Sequence, residues 1–269
     1  MLARLVGRHS RYAFVPVEAR FHAEPEGLPG LLAGRVTPEE FASRMRRHWW
    51  RRVDSSGREA GLDRIATRER FDAALAEFEH AVRGDPAGAG ATLVRSLLGG
   101  VAGAERKPCW IEMTPATALN ATSLLRLFPD MRIVHVVRDG RDVAASVARL
   151  WRWEPEAALE WWLRRVRRVF LEQRELPAGT MLTLRLERLV ATDRERSYAA
   201  LLEFLRLEDE AEMRSFFEER ISPARMRTGP WSEWMSERRG LRLAARYREM
   251  LVELEDELGE LASELTRDA

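Results

Sequence analysis

Residues 132–142 read RIVHVVRDGRD, and this stretch decides the fold. Its first half is rich in β-branched residues, with only His135 between Ile133-Val134 and Val136-Val137, and such a run is typical of a strand buried on both faces of a parallel sheet. A helical pattern follows from 141 to 150, so the stretch predicts a strand that leads directly into a helix. Similar apolar runs, separated by helical stretches, predict further strands at 12–15, 110–113 and 181–186. This alternation predicts an α/β fold with three layers and a central parallel sheet.

Residues 30–104 have mostly helical patterns. Thr37 and Glu40 have the spacing of a capping box, and Thr67 is a second candidate for a helix start. The chain has no internal repeat and no linker rich in Pro, Gly or Ser. We therefore expect one domain over residues 1–269, with 30–104 as a large helical insertion that forms a lid over the acceptor.

The composition excludes several classes of protein. Lys and Arg total 44 against 43 acidic residues, so no basic field exists to attract nucleic acid. Lys107 is the only lysine, so an anion site must use arginines, backbone N–H groups or hydroxyls. One cysteine, Cys109, excludes an intramolecular disulfide, and no histidine spacing indicates a metal site. We see no signal peptide or membrane span and expect a cytoplasmic protein, while the oligomeric state stays unknown.

The end of the best strand carries the first chemical motif. Arg138 leaves this strand, and Ser146 follows eight residues later on the predicted helix. A guanidinium, a hydroxyl and a helix N-terminus in this arrangement can bind one phosphate group. The alternative interpretation is a charged turn in which Asp142 starts the helix.

This segment resembles a known family. The sequence LFPD at 127–130, the strand and the RDGRD motif resemble the 3′-phosphate-binding segment of sulfotransferases. These enzymes use 3′-phosphoadenosine 5′-phosphosulfate as donor, and residues 107–147 are most similar to bacterial members and to tyrosylprotein sulfotransferases. The resemblance implies a P-loop-like fold, no metal, and binding of the donor's 3′-phosphate by Arg138 and Ser146. It also implies a hydroxyl acceptor, either a small molecule or a peptide.

A second resemblance lies near the start of the chain. His9 and the sequence VPVEARF at 15–21 are similar to a helix, strand and Glu-x-Arg motif of the same family. The resemblance implies that Glu18 accepts the proton of the acceptor hydroxyl and that Arg20 orients the acceptor. The alternative is an ordinary exposed pair of opposite charges, which is common on protein surfaces.

A third, looser resemblance lies in RMRTGPW at 225–231, which is similar to the basic Gly-x-Trp loop that closes over the nucleotide. It implies nucleotide-binding roles for Arg227, Gly229 and Trp231. The alternative is a turn before the last helix, with the tryptophan packed beneath it. Leu186 stands where the family has an aromatic residue that faces adenine.

Two departures from the family pattern affect the interpretation. Residues 1–5 correspond to the helix that follows the family's Pro-Arg-Ser-Gly-Thr-Thr-like loop, which binds the 5′-phosphosulfate. We therefore expect either that the natural start codon lies upstream or that the chain is a true truncation. In addition, the family's Lys-x-Pro is Met-Thr-Pro here, at 113–115.

These observations leave two functions open. The first is transfer of a sulfuryl group to an alcohol or phenol. The second is a catalytically inactive, truncated relative that binds a nucleotide or a partner. A P-loop kinase ranks below both, because the chain has no Walker lysine.

Overall fold

The computed structural model describes residues 1–54, 57–223 and 231–266, which form two compact units. Unit 1 consists of Met1–Met131 and Asp209–Phe217, and unit 2 consists of Arg132–Glu208 and Glu218–Ala269. The expectation of a single domain over 1–269 stays a prediction.

Unit 1 contains a two-stranded parallel sheet and most of the short helices. Its strands pair with Tyr12 opposite Cys109 and Phe14 opposite Ile111. In chain order its elements are α1 (Leu2–Val6), β1 (Tyr12–Phe14), α2 (Leu28–Leu32), α3 (Pro38–Arg44), α4 (Arg68–Ala81), α5 (Pro86–Leu97), α6 (Gly99–Ala104), β2 (Cys109–Ile111) and α7 (Ala121–Leu125).

The helical character predicted for residues 30–104 is present, and its start signals act as expected. The Thr37 hydroxyl accepts a bond from the Glu40 backbone N–H at 3.2 Å, and the Glu40 carboxylate accepts one from the Thr37 N–H at 2.9 Å. Helix α3 then continues into a π turn, Met45–Trp49, which was not predicted. The region packs around a cluster of buried aromatic side chains: Phe21, Phe41, Trp49, Trp50, Phe71 and Phe78.

Unit 2 contains the second two-stranded sheet and the longest helices. Its elements are β3 (Ile133–Val137), α8 (Gly140–Trp151), α9 (Pro155–Glu175), β4 (Met181–Arg185), α10 (Arg194–Leu205), α12 (Glu237–Leu258) and α13 (Ser263–Thr266). Helix α11 (Ala211–Arg220) lies between α10 and α12 in the chain, and most of it belongs to unit 1.

The strands of unit 2 are parallel, with Ile133 opposite Met181 and Val137 opposite Arg185. The prediction of an α/β fold with parallel strands is therefore confirmed, with the strands paired as two sheets of two. His135, in the middle of β3, contacts the Thr183 hydroxyl at 3.4 Å, and burial lowers its pKa to about 4. It is a structural residue of the strand.

Candidate active site

The β3–α8 junction of unit 2 is built around a glycine that permits close packing. A Cβ atom on Gly140 would lie 2.8 Å from the rings of Trp162 and Tyr247, so these rings can pack against the first turn of α8 only because no side chain is there. Asp139 caps the helix by accepting a bond from the Arg141 backbone N–H at 2.8 Å. The strand therefore turns sharply into the helix at the place where Arg138 leaves the sheet.

Arg138 and Ser146 both lie at this junction. The Arg138 guanidinium donates to Asp142 at 3.1 Å, and the Trp162 indole donates to the Arg138 carbonyl at 3.2 Å. Ser146 is partly buried on α8, one turn beyond Asp142. A step of four residues places Asp142 and Ser146 on one face of α8, and Arg138 is linked to this face by its bond to Asp142. The arrangement offers the donors that a phosphate group requires, together with an acid that the sequence interpretation treated only as a helix start.

Arg141 has a different role from Arg138. Its guanidinium pairs with Asp139 at 2.6 Å and lies over the Tyr247 ring at 4.7 Å from the centroid. The hydrogen bond to Asp139 outweighs burial and raises the pKa of Arg141. Asp139 also donates its backbone N–H to Glu187 at 2.9 Å. These contacts fix the turn that carries Arg138.

Trp231 joins the same region of unit 2. Its backbone N–H donates to Asp142 at 3.1 Å, and its ring lies 5.3 Å from the Arg141 guanidinium. The packed tryptophan of the alternative interpretation is therefore present. Arg227 and Gly229 lie outside the described residues, so their proposed roles stay predictions.

The second candidate group lies in unit 1, directly after β1. Arg20 pairs with Glu18 at 3.2 Å and with Glu24 at 3.3 Å. The ion pair of the alternative interpretation is thus present, but the Glu18 side chain keeps 30% of its surface exposed and can still meet a ligand. Arg20 adopts a left-handed conformation with φ of 59°, which is uncommon for a residue other than glycine.

Arg52 supports this segment, although no motif of the sequence indicated such a role. Its guanidinium donates to the carbonyls of Glu18 at 3.1 Å and Ala60 at 3.2 Å. Burial, followed by the charge of Arg20, lowers the pKa of Arg52, while nearby carboxylates oppose the shift. Arg52 therefore holds the Glu18 backbone in place.

A buried polar cluster lies beneath the same segment. The Glu112 carboxylate, directly after β2, contacts His22 at 3.0 Å and accepts a bond from Thr117 at 2.9 Å. Burial alone would raise the pKa of Glu112, but the His22 charge and hydrogen bonds from His22, Thr114 and Thr117 hold it below its ordinary value. The Arg20 backbone N–H also points to the Thr114 hydroxyl at 3.4 Å. This cluster was not predicted, since its two charged members are 90 residues apart.

Comparison with known proteins decides the family. Residues 17–211 match the family model described as the sulfotransferase family. The chain belongs to the sulfotransferase family. With it, the predicted fold class, an α/β fold of the P-loop-like type, is confirmed.

Two solved sulfotransferase structures are similar to this chain. The sulfotransferase domain from the curacin biosynthetic pathway is 15% identical, with a TM-score of 0.48, and the match covers 79% of this chain and 71% of that one. Sulfotransferase STF9 from Mycobacterium avium is 12% identical, with a TM-score of 0.47, and the match covers 96% and 73%. No curated protein matches the chain.

Lys107 of this sulfotransferase-family chain is engaged in local contacts. Its amino group donates to the carbonyls of Gly7 at 3.3 Å and Tyr12 at 3.0 Å and pairs with Glu105 at 3.1 Å. It therefore fixes the turn before β1.

The rest of the described chain adds no metal centre. No group of three or more His, Cys, Asp or Glu side chains there has the geometry to hold a metal ion. Among the same residues, no helix has both the length and the apolar surface needed to cross a bilayer.

Proposed function

We propose that this chain transfers a sulfuryl group from 3′-phosphoadenosine 5′-phosphosulfate to a hydroxyl of a small-molecule or peptide acceptor. Family membership supports sulfuryl transfer. The observation that carries the donor assignment is the β3–α8 junction, where Arg138 and Ser146 accompany a helix N-terminus. This set of donors fits a phosphate group, because a guanidinium, a hydroxyl and free backbone N–H groups all donate to it.

Each residue then has a defined task. Arg138 and Ser146 anchor the 3′-phosphate, and Trp231, with Arg227 and Gly229 before it, closes over the nucleotide. Glu18 accepts the proton of the acceptor hydroxyl, and Arg20 orients both Glu18 and the acceptor. The acceptor oxygen bonds to sulfur while the bond from sulfur to the bridging phosphate oxygen breaks. The 3′,5′-bisphosphate leaves, and its charge is offset without a metal, by arginine and backbone donors.

The proposal also keeps two expectations from the sequence. The first is that the enzyme is of the bacterial type and acts in the cytoplasm. The second is that residues 30–104 form the lid over the acceptor. The alternative function is a nucleotide- or partner-binding protein without turnover.

Calorimetry tests the donor site. A bidentate bond to a charged group contributes about 1.5–3 kcal/mol, so Arg138→Ala should weaken binding of adenosine 3′,5′-bisphosphate by about 10- to 100-fold. Binding of adenosine 5′-monophosphate should change little. Arg149→Ala is the matched control, because Arg149 also lies on the α8 segment but stacks over Trp234 instead. Equal losses for both nucleotides would place Arg138 outside the 3′-phosphate site.

Turnover separates the two functions. Incubation with ³⁵S-labelled donor and a mixture of hydroxyl acceptors should yield labelled product and free bisphosphate. Binding of the bisphosphate without any release from the donor would favour the non-catalytic alternative.

A further inference from the structure

Asp142 occupies an unexpected place for an acid. It is 9% exposed and lies between the two residues proposed to hold the 3′-phosphate. One of its carboxylate oxygens, Oδ2, accepts a bond from Arg138 at 3.1 Å, and the other, Oδ1, accepts one from the Trp231 backbone N–H at 3.1 Å. The same side chain thus ties the end of β3 to a segment 89 residues further along.

The negative charge of Asp142 is by itself unfavourable for a phosphate-binding site. A carboxylate beside an anion site repels the anion and competes for the guanidinium, and this effect is large where water is excluded. A site selected only for positive potential would have a neutral residue at this position. The acid is therefore explained by geometry, because a buried carboxylate can fix two donors at once.

The two bonds to Asp142 restrict the orientation of both donors, the Arg138 guanidinium and the Trp231 backbone N–H. A guanidinium presents its N–H groups in a rigid planar fork, so fixing one edge of it sets the direction of the others. Trp231 is the first described residue after 224–230, the segment that contains Arg227 and Gly229. Its ring lies against Arg141, whose own guanidinium is held by Asp139. Asp142 therefore sets both the direction of Arg138 and the position of the Trp231 backbone.

We propose that Asp142 is a positioning residue that holds Arg138 and the Trp231 backbone in one arrangement, so that recognition of the 3′-phosphate depends on both. This inference rests on the proposed function, because it assigns Arg138 to the 3′-phosphate. It adds that the acid beside the arginine increases affinity for the bisphosphate although it carries the same sign of charge.

Asp142 could affect bisphosphate binding by positioning Arg138 or only through its negative charge. These two explanations predict opposite changes in bisphosphate affinity for the substitution Asp142→Asn. Asparagine keeps an oxygen for the Trp231 N–H but loses the charge that holds the guanidinium. If Asp142 positions Arg138, binding of adenosine 3′,5′-bisphosphate should weaken by about 10-fold, while 5′-monophosphate binding stays unchanged. If Asp142 acts only through its charge, bisphosphate binding should become tighter. Weaker binding of both nucleotides would indicate a general structural role and would also overturn the inference.

Two further variants test the positioning role of Asp142 independently. Asp142→Glu keeps the charge and moves the carboxylate by one methylene, so positioning again predicts selective weakening and charge alone predicts no change. Selective weakening by this variant supports the inference even where Asp142→Asn does not fold. In the Arg138→Ala background, Asp142→Asn should have no further effect on bisphosphate binding, and an additive loss would overturn the inference.

The outcomes distinguish the inference from the proposed function. If Arg138→Ala weakens both nucleotides equally, the proposed phosphate site fails and the inference fails with it. If Arg138→Ala is selective but Asp142→Asn binds the bisphosphate as well as or better than the unaltered chain, the inference alone fails.

Discussion

Replacement of Glu112 by glutamine tests the buried cluster that supports the Glu18–Arg20 segment. Glutamine has the same shape but no charge, so His22, Thr114 and Thr117 lose a charged acceptor. A hydrogen bond to a charged group contributes about 1.5–3 kcal/mol, and a neutral one contributes about 0.5–1.5. Three bonds that each lose about 1 kcal/mol predict a destabilisation of about 3 kcal/mol.

The pH dependence of this loss has a definite sign. The pKa of Glu112 in the folded chain is held below its ordinary value by His22 and the hydrogen bonds, despite burial. Its charged form therefore contributes stability above the unfolded-state pKa, about 4.3, and that contribution disappears as pH falls through the folded-state pKa. The difference between the original chain and Glu112→Gln should be greatest near pH 7 and should shrink in acid.

Urea unfolding followed by tryptophan fluorescence measures the effect. Glu39→Gln is the control, because Glu39 is exposed and pairs with Arg83 on the surface, where substitution should change the free energy of unfolding much less than at Glu112. Hydrogen exchange at the Arg20 amide should also accelerate in Glu112→Gln, since this amide faces Thr114. A free energy of unfolding within about 0.5 kcal/mol of the original at pH 7 would refute the reasoning.

Three further substitutions test other parts of the structure. Gly140→Ala should destabilise unit 2 by about 1–3 kcal/mol, because its Cβ atom would lie 2.8 Å from Trp162, whereas Gly103→Ala, with nothing within 4 Å, should be neutral or stabilising in a thermal melt. The partly buried His135, with a pKa near 4, stays uncharged while the unfolded chain takes up a proton below pH 6.5. Stability should therefore fall by up to about 3 kcal/mol between pH 6.5 and 4, and this fall should be absent in the His135→Asn variant. In a form of the protein that turns over, Glu18→Gln should lower kcat by roughly 100-fold with donor affinity retained, and a near-normal kcat would assign Glu18 to the ordinary surface pair.

The sequence predicted the elements whose signals are local. The β-branched run at 133–137 forms β3, and the capping box at Thr37 starts α3, because strand burial and helix capping depend on residues a few positions apart. The π turn Met45–Trp49 could not be predicted in this way. Trp49, at the end of this turn, packs against Phe21, and a contact with a residue so far away in sequence leaves no local signal.

The same distinction applies to the candidate site. Arg138 and Ser146 were identifiable because eight residues and one strand-to-helix turn relate them. The contact between Asp142 and Trp231 joins residues 89 apart, and only the packing of unit 2 brings them together. Sequence spacing therefore predicts which residues are available for binding, whereas their orientation depends on contacts that local patterns do not contain.

In each of the two candidate groups, the charged residue proposed to bind or react is paired with an opposite charge of its own unit. Glu18 pairs with Arg20, and Arg138 pairs with Asp142. Such pairs reduce the long-range attraction for an anion, so affinity must come from correctly directed hydrogen bonds rather than from net charge. They also restrict long, flexible side chains before the ligand arrives, which lowers the entropy lost on binding. A site of this kind discriminates by the position of a phosphate group more than by its charge, and for this reason the comparison of 3′,5′-bisphosphate with 5′-monophosphate is the most informative measurement on this chain.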